Sequence, residues 1–211
     1  MMFLVLFTCM LAGCLAQQPH PCGEYSSSDG SFDCSTQSEK LLAFAMYTYD
    51  ALGKRIRVRE SGFYSNKTFN LDALLLYRER VMYSIDYKTR TCLKKPLDTD
   101  FQPMEIPQNA TLLSQAVLGS SSGPGQGLLV NTWVGEMQQK ERTAQYLNTV
   151  TEFGCVPVTS LFRSGDSGWV VTSFFNNIIG VLDPEQLLPP SFCKDAQLDE
   201  REEPVNFFSL F

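Results

Sequence analysis

Leu71-Asp72-Ala73-Leu74-Leu75-Leu76-Tyr77, then Arg78-Glu79-Arg80, then Val81-Met82-Tyr83-Ser84-Ile85-Asp86-Tyr87 read as strand, turn and returning strand. In the return limb Val81, Tyr83, Ile85 and Tyr87 share one face, while Met82, Ser84 and Asp86 share the other. A period of two is the mark of a strand, because successive side chains leave opposite faces of the pleat. The same pattern precedes it. Ala43 to Tyr49, a turn at Asp50-Ala51-Leu52-Gly53, and Arg55 to Arg59 with Ile56 and Val58 alternating with charge form an earlier hairpin. Downstream, Leu128 to Val134, Thr143 to Val150, Val156 to Phe162 and Trp169 to Phe175 are further strands, with a turn at Ser164-Gly165-Asp166-Ser167-Gly168 between the last two.

The segments between are less regular. Cys22 to Ser38 is rich in Ser, Asp and Gly and reads as an irregular arm. Pro96 to Pro107 reads as a loop, Leu112 to Leu118 fits more than one state, and Ser120 to Gly125 is a break. Asp183-Pro184 is a helix start, with Asp183 as cap and Pro184 at the first position, stopped after one turn by Pro189-Pro190. There is no internal repeat and no sustained helical amphipathicity. The expected fold is a mostly β, antiparallel single domain. Ala43 to Tyr47, Leu74 to Tyr77 and Val170 to Phe175 are apolar on both strand faces, which predicts covering layers on each side or a face that lines an apolar cavity.

Residues 1–16 carry no charge and are almost continuously apolar. The run is too short to span a bilayer, and Cys14-Leu15-Ala16 offers small residues for cleavage, so it reads as a secretory signal cut near Ala16. Leu11-Ala12-Gly13-Cys14 also fits a bacterial lipoprotein signal with Cys14 lipidated, although the basic n-region is missing. Five cysteines remain beyond the signal: Cys22, Cys34, Cys92, Cys155 and Cys193. Spread along the chain without C-x-x-C spacing, they read as disulfides in an oxidising compartment, with one thiol left over. Asn66-Lys67-Thr68 and Asn109-Ala110-Thr111 are glycosylation sequons.

About 195 residues after the signal suit one domain with its own core. The formal charge is −6, and the surplus sits in the acidic tail that begins at Lys194. An acidic tail offers no footprint for nucleic acid. It can attract divalent cations loosely. The single histidine, His20, lies between two prolines, so triads and imidazole metal sites have no raw material elsewhere in the chain. No phosphate loop, EF-hand or nucleophile elbow is present. Asp72 and Asp86 are a carboxylate pair that the hairpin could oppose, but any acidic β protein supplies such pairs. The expectation is therefore no enzyme and no required cofactor.

Several stretches, in this order, resemble the ependymin family. They are Arg55-Ile56-Arg57-Val58, Val81 to Asp86, Thr91-Cys92, Met104 to Thr111, Gly154-Cys155-Val156-Pro157-Val158 and Leu188-Pro189-Pro190-Ser191-Phe192-Cys193. The tail Phe207-Phe208-Ser209-Leu210-Phe211 looks more like the fish members than the mammalian ependymin-related proteins. The resemblance implies two stacked antiparallel sheets forming a half-barrel around a central apolar pocket, similar to bacterial lipoprotein carriers. It divides the chain into a signal (1–16) and one domain (17–211), with an irregular arm over 17–40 and the acidic tail over 194–211.

The resemblance also implies a secreted glycoprotein, homodimers, lipid binding, calcium association, cell–matrix adhesion, and a place in extracellular fluid or lysosomes. Its bridges fall on Cys22–Cys155 and Cys92–Cys193. Cys34 then has no partner and is either a free thiol on a mobile arm or a link between subunits. The metal ligands, if any, are unknown. The pocket residues expected on this reading are Ile56, Val58, Leu74, Leu76, Val81, Tyr83, Ile85, Trp133, Val171 and Phe174. A one-residue error of register would invert their face. The alternative function is a matrix or adhesion protein acting through glycans, acidic groups and a dimer surface. An apolar cavity of several hundred Å³ favours the carrier, and a filled core favours adhesion.

Overall fold

A computed structural model describes residues 19–23, 26–38, 40–139, 142–164 and 168–199. The expected signal at 1–16, residues 165–167 of the glycine-rich turn and the tail from 200 onward lie outside the described residues. The strands are β1 (Ser27–Thr36), β2 (Leu41–Asp50), β3 (Arg55–Tyr64), β4 (Lys67–Leu76), β5 (Val81–Asp86), β6 (Thr91–Pro96), β7 (Thr111–Gly119), β8 (Gly127–Gln139), β9 (Arg142–Thr151), β10 (Pro157–Ser164) and β11 (Trp169–Ile179). All pair antiparallel in one sheet, in the order β6-β5-β4-β3-β2-β1-β11-β10-β9-β8-β7. Strands β2 to β6 step outward from β1 as a meander. The chain then crosses to the opposite edge, and β7 to β11 step back until β11 pairs with β1, setting Cys34 opposite Thr172.

This is a mostly β half-barrel, open rather than closed. Its two layers are the two arms of one continuous sheet, because the β1–β11 ladder joins them. The length and the bends of the crossing segment together require a curl. Eleven strands laid flat would span about 48 Å. The crossing segment 97–110 reaches at most about 50 Å when fully extended, and it contains bends and turns.

Burial identifies the inner face. In β2, Leu41, Ala43, Ala45, Tyr47 and Tyr49 are buried, whereas Leu42, Phe44 and Met46 are 60%, 47% and 45% exposed. The expectation of layers on both sides of residues 43–47 therefore fails, since nothing among the described residues covers Phe44 and Met46. It succeeds for 74–77, where Leu75 faces the inside and Leu74 and Leu76 lie beneath the C-terminal segment.

The irregular arm is a correction. Residues 27–36 form β1, between β2 and β11 at the middle of the sheet. Its polarity hides a strand because its inward positions are Ser28, Gly30, Phe32 and Cys34, mostly small residues in a crowded place. A Cβ on Gly30 would stand 2.4 Å from the Asn177 side chain and 2.7 Å from the Tyr47 ring. Glycine leaves room for the Tyr47 hydroxyl to donate to Asn177 Oδ1 at 2.8 Å. β6 has no sequence expectation of its own. It is a short, lysine-bearing edge strand, a form that discourages edge-to-edge pairing.

Two segments close the molecule. Residues 97–110 lie on the inner face, where Phe101 stacks on Tyr49 and Leu97 joins Ala73, Leu75 and Met82. The N-terminal arm is fastened there: Ile106 N–H donates to the Cys22 carbonyl, and Cys22 is bridged to Cys155 with Cα atoms 5.8 Å apart. Residues 181–193 cover the outer face of β3 to β6 and are bridged by Cys92–Cys193, Cα atoms 5.3 Å apart. Asp183 caps the short 3₁₀ turn Pro184–Leu187 by accepting from Glu185 N–H, as the sequence predicts. Arg57, buried on the outer face, donates to both Asp72 oxygens at 2.9 and 2.8 Å and to the Gln186 carbonyl at 2.9 Å. The bidentate pair holds the guanidinium within the sheet, and its bond to Gln186 fixes the segment to it.

Candidate functional site

The strand registers lay continuous rows of side chains across the inner face. One row runs Leu71, Glu60, Ala45, Phe32, Phe174. The next runs Phe69, Gly62, Ala43, Cys34, Thr172, Ser160, Asn148, Trp133 and Leu112. A third includes Thr36, Val170, Phe162, Tyr146 and Gly135. The arm β2 to β5 is apolar and deeply buried: Tyr49, Val58, Ala73 and Leu75 are all 0% exposed. The arm β9 to β11 mixes Phe162, Val170 and Phe174 with Asn148, Ser160 and Thr172, and these six are only half-buried. Ser160 Oγ donates to Asn148 Oδ1 at 2.7 Å. The result is a trough with an apolar floor and a polar stripe across it.

The inward groups buried without a hydrogen-bond partner among the described residues include both carboxyl oxygens of Glu60, Trp133 Nε1 and Tyr146 Oη. Such groups are rare in native interiors because desolvation is then uncompensated. Burial in apolar surroundings pushes the Glu60 carboxyl up to about 7. Cys34 lies across the row from it. Burial, reinforced by the Glu60 and Asp33 carboxylates and opposed by the Thr172 hydroxyl, pushes its thiol up to about 11. At 2% exposure in a central strand it is neither a thiol on a mobile arm nor within reach of a second subunit.

The expected pocket residues divide between the faces. Ile56, Val58, Trp133 and Phe174 point inward. Leu74, Leu76, Val81, Tyr83 and Ile85 point outward and pack under Leu187, Val181, Phe192 and Cys193, and Val171 is also outward. The reason is register: Leu74 stands opposite Arg57, and the partner of Ile56 is Leu75. Glu60 was missed. Its signal was its place two residues beyond Val58, on the same side of an alternating strand. Asp72 and Asp86 do not form a pair. Asp72 holds Arg57 on the outer face, while exposed Asp86 accepts from the Lys88 and Thr89 amides in its turn.

Two recesses open on the described surface. One, about 10 Å³, lies among Ser28, Tyr47, Pro157 and Asn177. The other, about 220 Å³, is lined by Arg80, Asp98, Thr99 and Asp100 and is polar. Neither is the enclosed apolar cavity of several hundred Å³ that the resemblance implies. Among the described residues no three His, Cys, Asp or Glu side chains group to hold a metal ion, and no helix is long and apolar enough to cross a membrane. Asn66 and Asn109 are both exposed, the first in the tight β3–β4 turn where Ser65 and Asn66 take φ of 47° and 66°.

A family model described as Ependymin matches residues 65–193. Ependymin-2 of Carassius auratus is 32% identical over 208 residues, covering 98% of this chain and 95% of the relative. Ependymin-1 of Oncorhynchus mykiss is 33% identical over 216 residues, covering 99% and 95%. Among solved structures, an uncharacterised conserved protein of Thermus thermophilus superposes with a TM-score of 0.53 at 12% identity, covering 84% of this chain and 91% of that one, a likeness of fold alone. Both bridges join the cysteine pairs that the family resemblance implies.

Proposed function

Because this chain belongs to the ependymin family, we propose that it is a secreted carrier that holds lipid or another apolar ligand along the inner face of its half-barrel. The observation that carries the reading is the asymmetry of that face. Residues 97–110 roof the β2–β5 arm and reach the other arm only at its far side, where Ile106 packs with Trp133 and Val150, while Phe162, Val170 and Phe174 between them are left half-buried beside a polar stripe. An acyl chain laid on such a floor gains about 0.8 kcal/mol per buried methylene. The polar stripe would orient its head group. Binding of this kind needs no bond-making chemistry and no cofactor. Glycans on exposed Asn66 and Asn109 belong to the same reading, as does calcium held loosely by glycans or the acidic tail. Native mass spectrometry of the purified protein and displacement of a fluorescent fatty acid test it. If no lipid co-purifies and nothing is displaced at neutral or acidic pH, the carrier reading fails.

Adhesion is the second reading, and it has its own observation. Leu42, Phe44, Met46 and Phe63 are exposed together on the outer face, with Phe44 stacked on Phe175 at 5.8 Å. An exposed apolar patch of this kind fits a protein contact, including the homodimer that family membership implies. Light scattering on Phe44→Glu separates the readings. Loss of a dimer with ligand binding intact assigns the patch to assembly. An unchanged monomer removes this support for adhesion.

A further inference from the structure

Glu60 stands apart from every other carboxylate described above. Its neighbours in sequence, Arg59 and Ser61, leave the opposite face of β3, so neither can reach it. Arg59 is engaged with Gln186 and Arg57 with Asp72, both on the outside. On the inner face Glu60 lies between Ala45 and Leu71, and the adjacent row brings Gly62, Ala43 and Cys34. The residue is 3% exposed, and among the described residues neither oxygen has a partner. A carboxyl so placed, among small side chains, has acceptor capacity that the described residues leave unused.

We infer that Glu60 anchors the head group of an amphiphile, and that the head group carries N–H or O–H donors, with an ammonium favoured over a hydroxyl and a carboxylate disfavoured. The inference rests on the carrier reading and names its ligand class. The apolar chain extends past Phe32 and Phe174 toward the half-buried arm, following the row in which Glu60 stands. Charge decides among head groups. An ammonium compensates a buried carboxylate, whereas a second carboxylate would force one of the two to hold a proton. Trp133 Nε1 and Tyr146 Oη, which are donors, belong to β8 and β9 in the other arm and offer partners for acceptors elsewhere on the ligand.

The test uses the full-length, glycosylated protein after lipid removal. It compares dodecylamine, dodecanol and dodecanoate as competitors of one bound fluorescent probe at mildly alkaline pH. Equal chains cancel the apolar contribution. Dodecylamine should displace the probe at a concentration about tenfold below dodecanoate, the usual effect of one charge-assisted hydrogen bond. In Glu60→Gln the gap should shrink to within about threefold with chain binding retained. In Glu60→Leu the amine preference should vanish. Equal displacement by all three in the wild type, or a preference unchanged in both variants, overturns the anchor and leaves the carrier reading standing. No displacement by any of the three overturns both.

Discussion

The inner face of the β2–β5 arm is set with Tyr49, Val58 and Leu75 under a roof that contributes Phe101 and Met104, whereas the same face of the β9–β11 arm carries Asn148, Ser160 and Thr172 and stays half-open. The strands are alike in length and pairing. The difference lies in what crosses over them. A roofed face can use large apolar side chains throughout, because every methylene is removed from water. An unroofed face must keep polar groups among its aromatics or become an aggregation surface. One arm therefore supplies stability, and the other leaves accessible apolar surface, which the proposed carrier would use.

The comparison breaks most severely at its fastenings. Cys92–Cys193 holds the C-terminal covering segment and Cys22–Cys155 the N-terminal arm, and each closes a long loop, with a sequence separation of 133 for Cys22–Cys155 and 101 for Cys92–Cys193. Replacing either pair by serine should cost about 5 kcal/mol, read as a fall in the urea midpoint. Removal of Cys92–Cys193 should also free the C-terminal segment to proteases, while removal of Cys22–Cys155 should free the N-terminal arm.

The next effect measures the arms directly. Leu75→Ala on the roofed arm should cost about 3 kcal/mol by transfer and cavity terms. Phe162→Ala on the open arm should cost about 1 kcal/mol, since the site is already half in water. Equal losses in urea unfolding would erase the distinction.

An effect no larger than that of Leu75→Ala is electrostatic. The Glu60 carboxyl titrates near 7 in the folded protein against 4.5 as a free side chain. The folded state then holds the proton more tightly than the unfolded state between those values. Stability is free of this penalty below pH 4.5 and declines as pH rises through 7, by up to about 3 kcal/mol. Glu60→Gln should remove most of that decline when unfolding is compared at pH 5 and pH 8. A wild-type slope that persists in the variant would place the titrating group elsewhere.

The smallest effect is on reactivity. Buried Cys34 should resist maleimide labelling in the native protein and react on unfolding, and a non-reducing gel should show no dimer that Cys34→Ala abolishes. Rapid labelling in native buffer would contradict its place in β1.

Much of this architecture was legible in the chain. The hairpins β2–β3 and β4–β5 follow from alternation around short turns, and β8 to β11 follow from their apolar and β-branched runs. Asp183 and Pro184 announced their own turn. β1 was not legible, because Ser, Gly and Asp at its inward and outward positions imitate a loop. The pocket set failed as a set for a related reason. Periodicity says which residues of one strand share a face, but only inter-strand register says that Leu75, rather than Leu74, joins Ile56. Glu60 could be seen as a charge on an apolar strand, but its isolation could not, since the arginines beside it in sequence are on the far side of the sheet.

By itself the sequence determined most of the local pieces: the strands with clear alternation or apolar runs, the hairpins they form, and which family's cysteine pattern the chain follows. These depend on side-chain alternation and turn geometry within a few residues. Only the tertiary structure decided that β1 and β11 meet, that the sheet curls with Ala45 and Glu60 inside and Phe44 outside, and that one arm is roofed throughout while Phe162, Val170 and Phe174 of the other stay half-buried. Those outcomes depend on contacts between elements separated in sequence, from Tyr49 with Phe101 in the roof to Cys34 with Thr172 across β1 and β11. Their free energy is set by what packs over each face, a quantity no single strand carries.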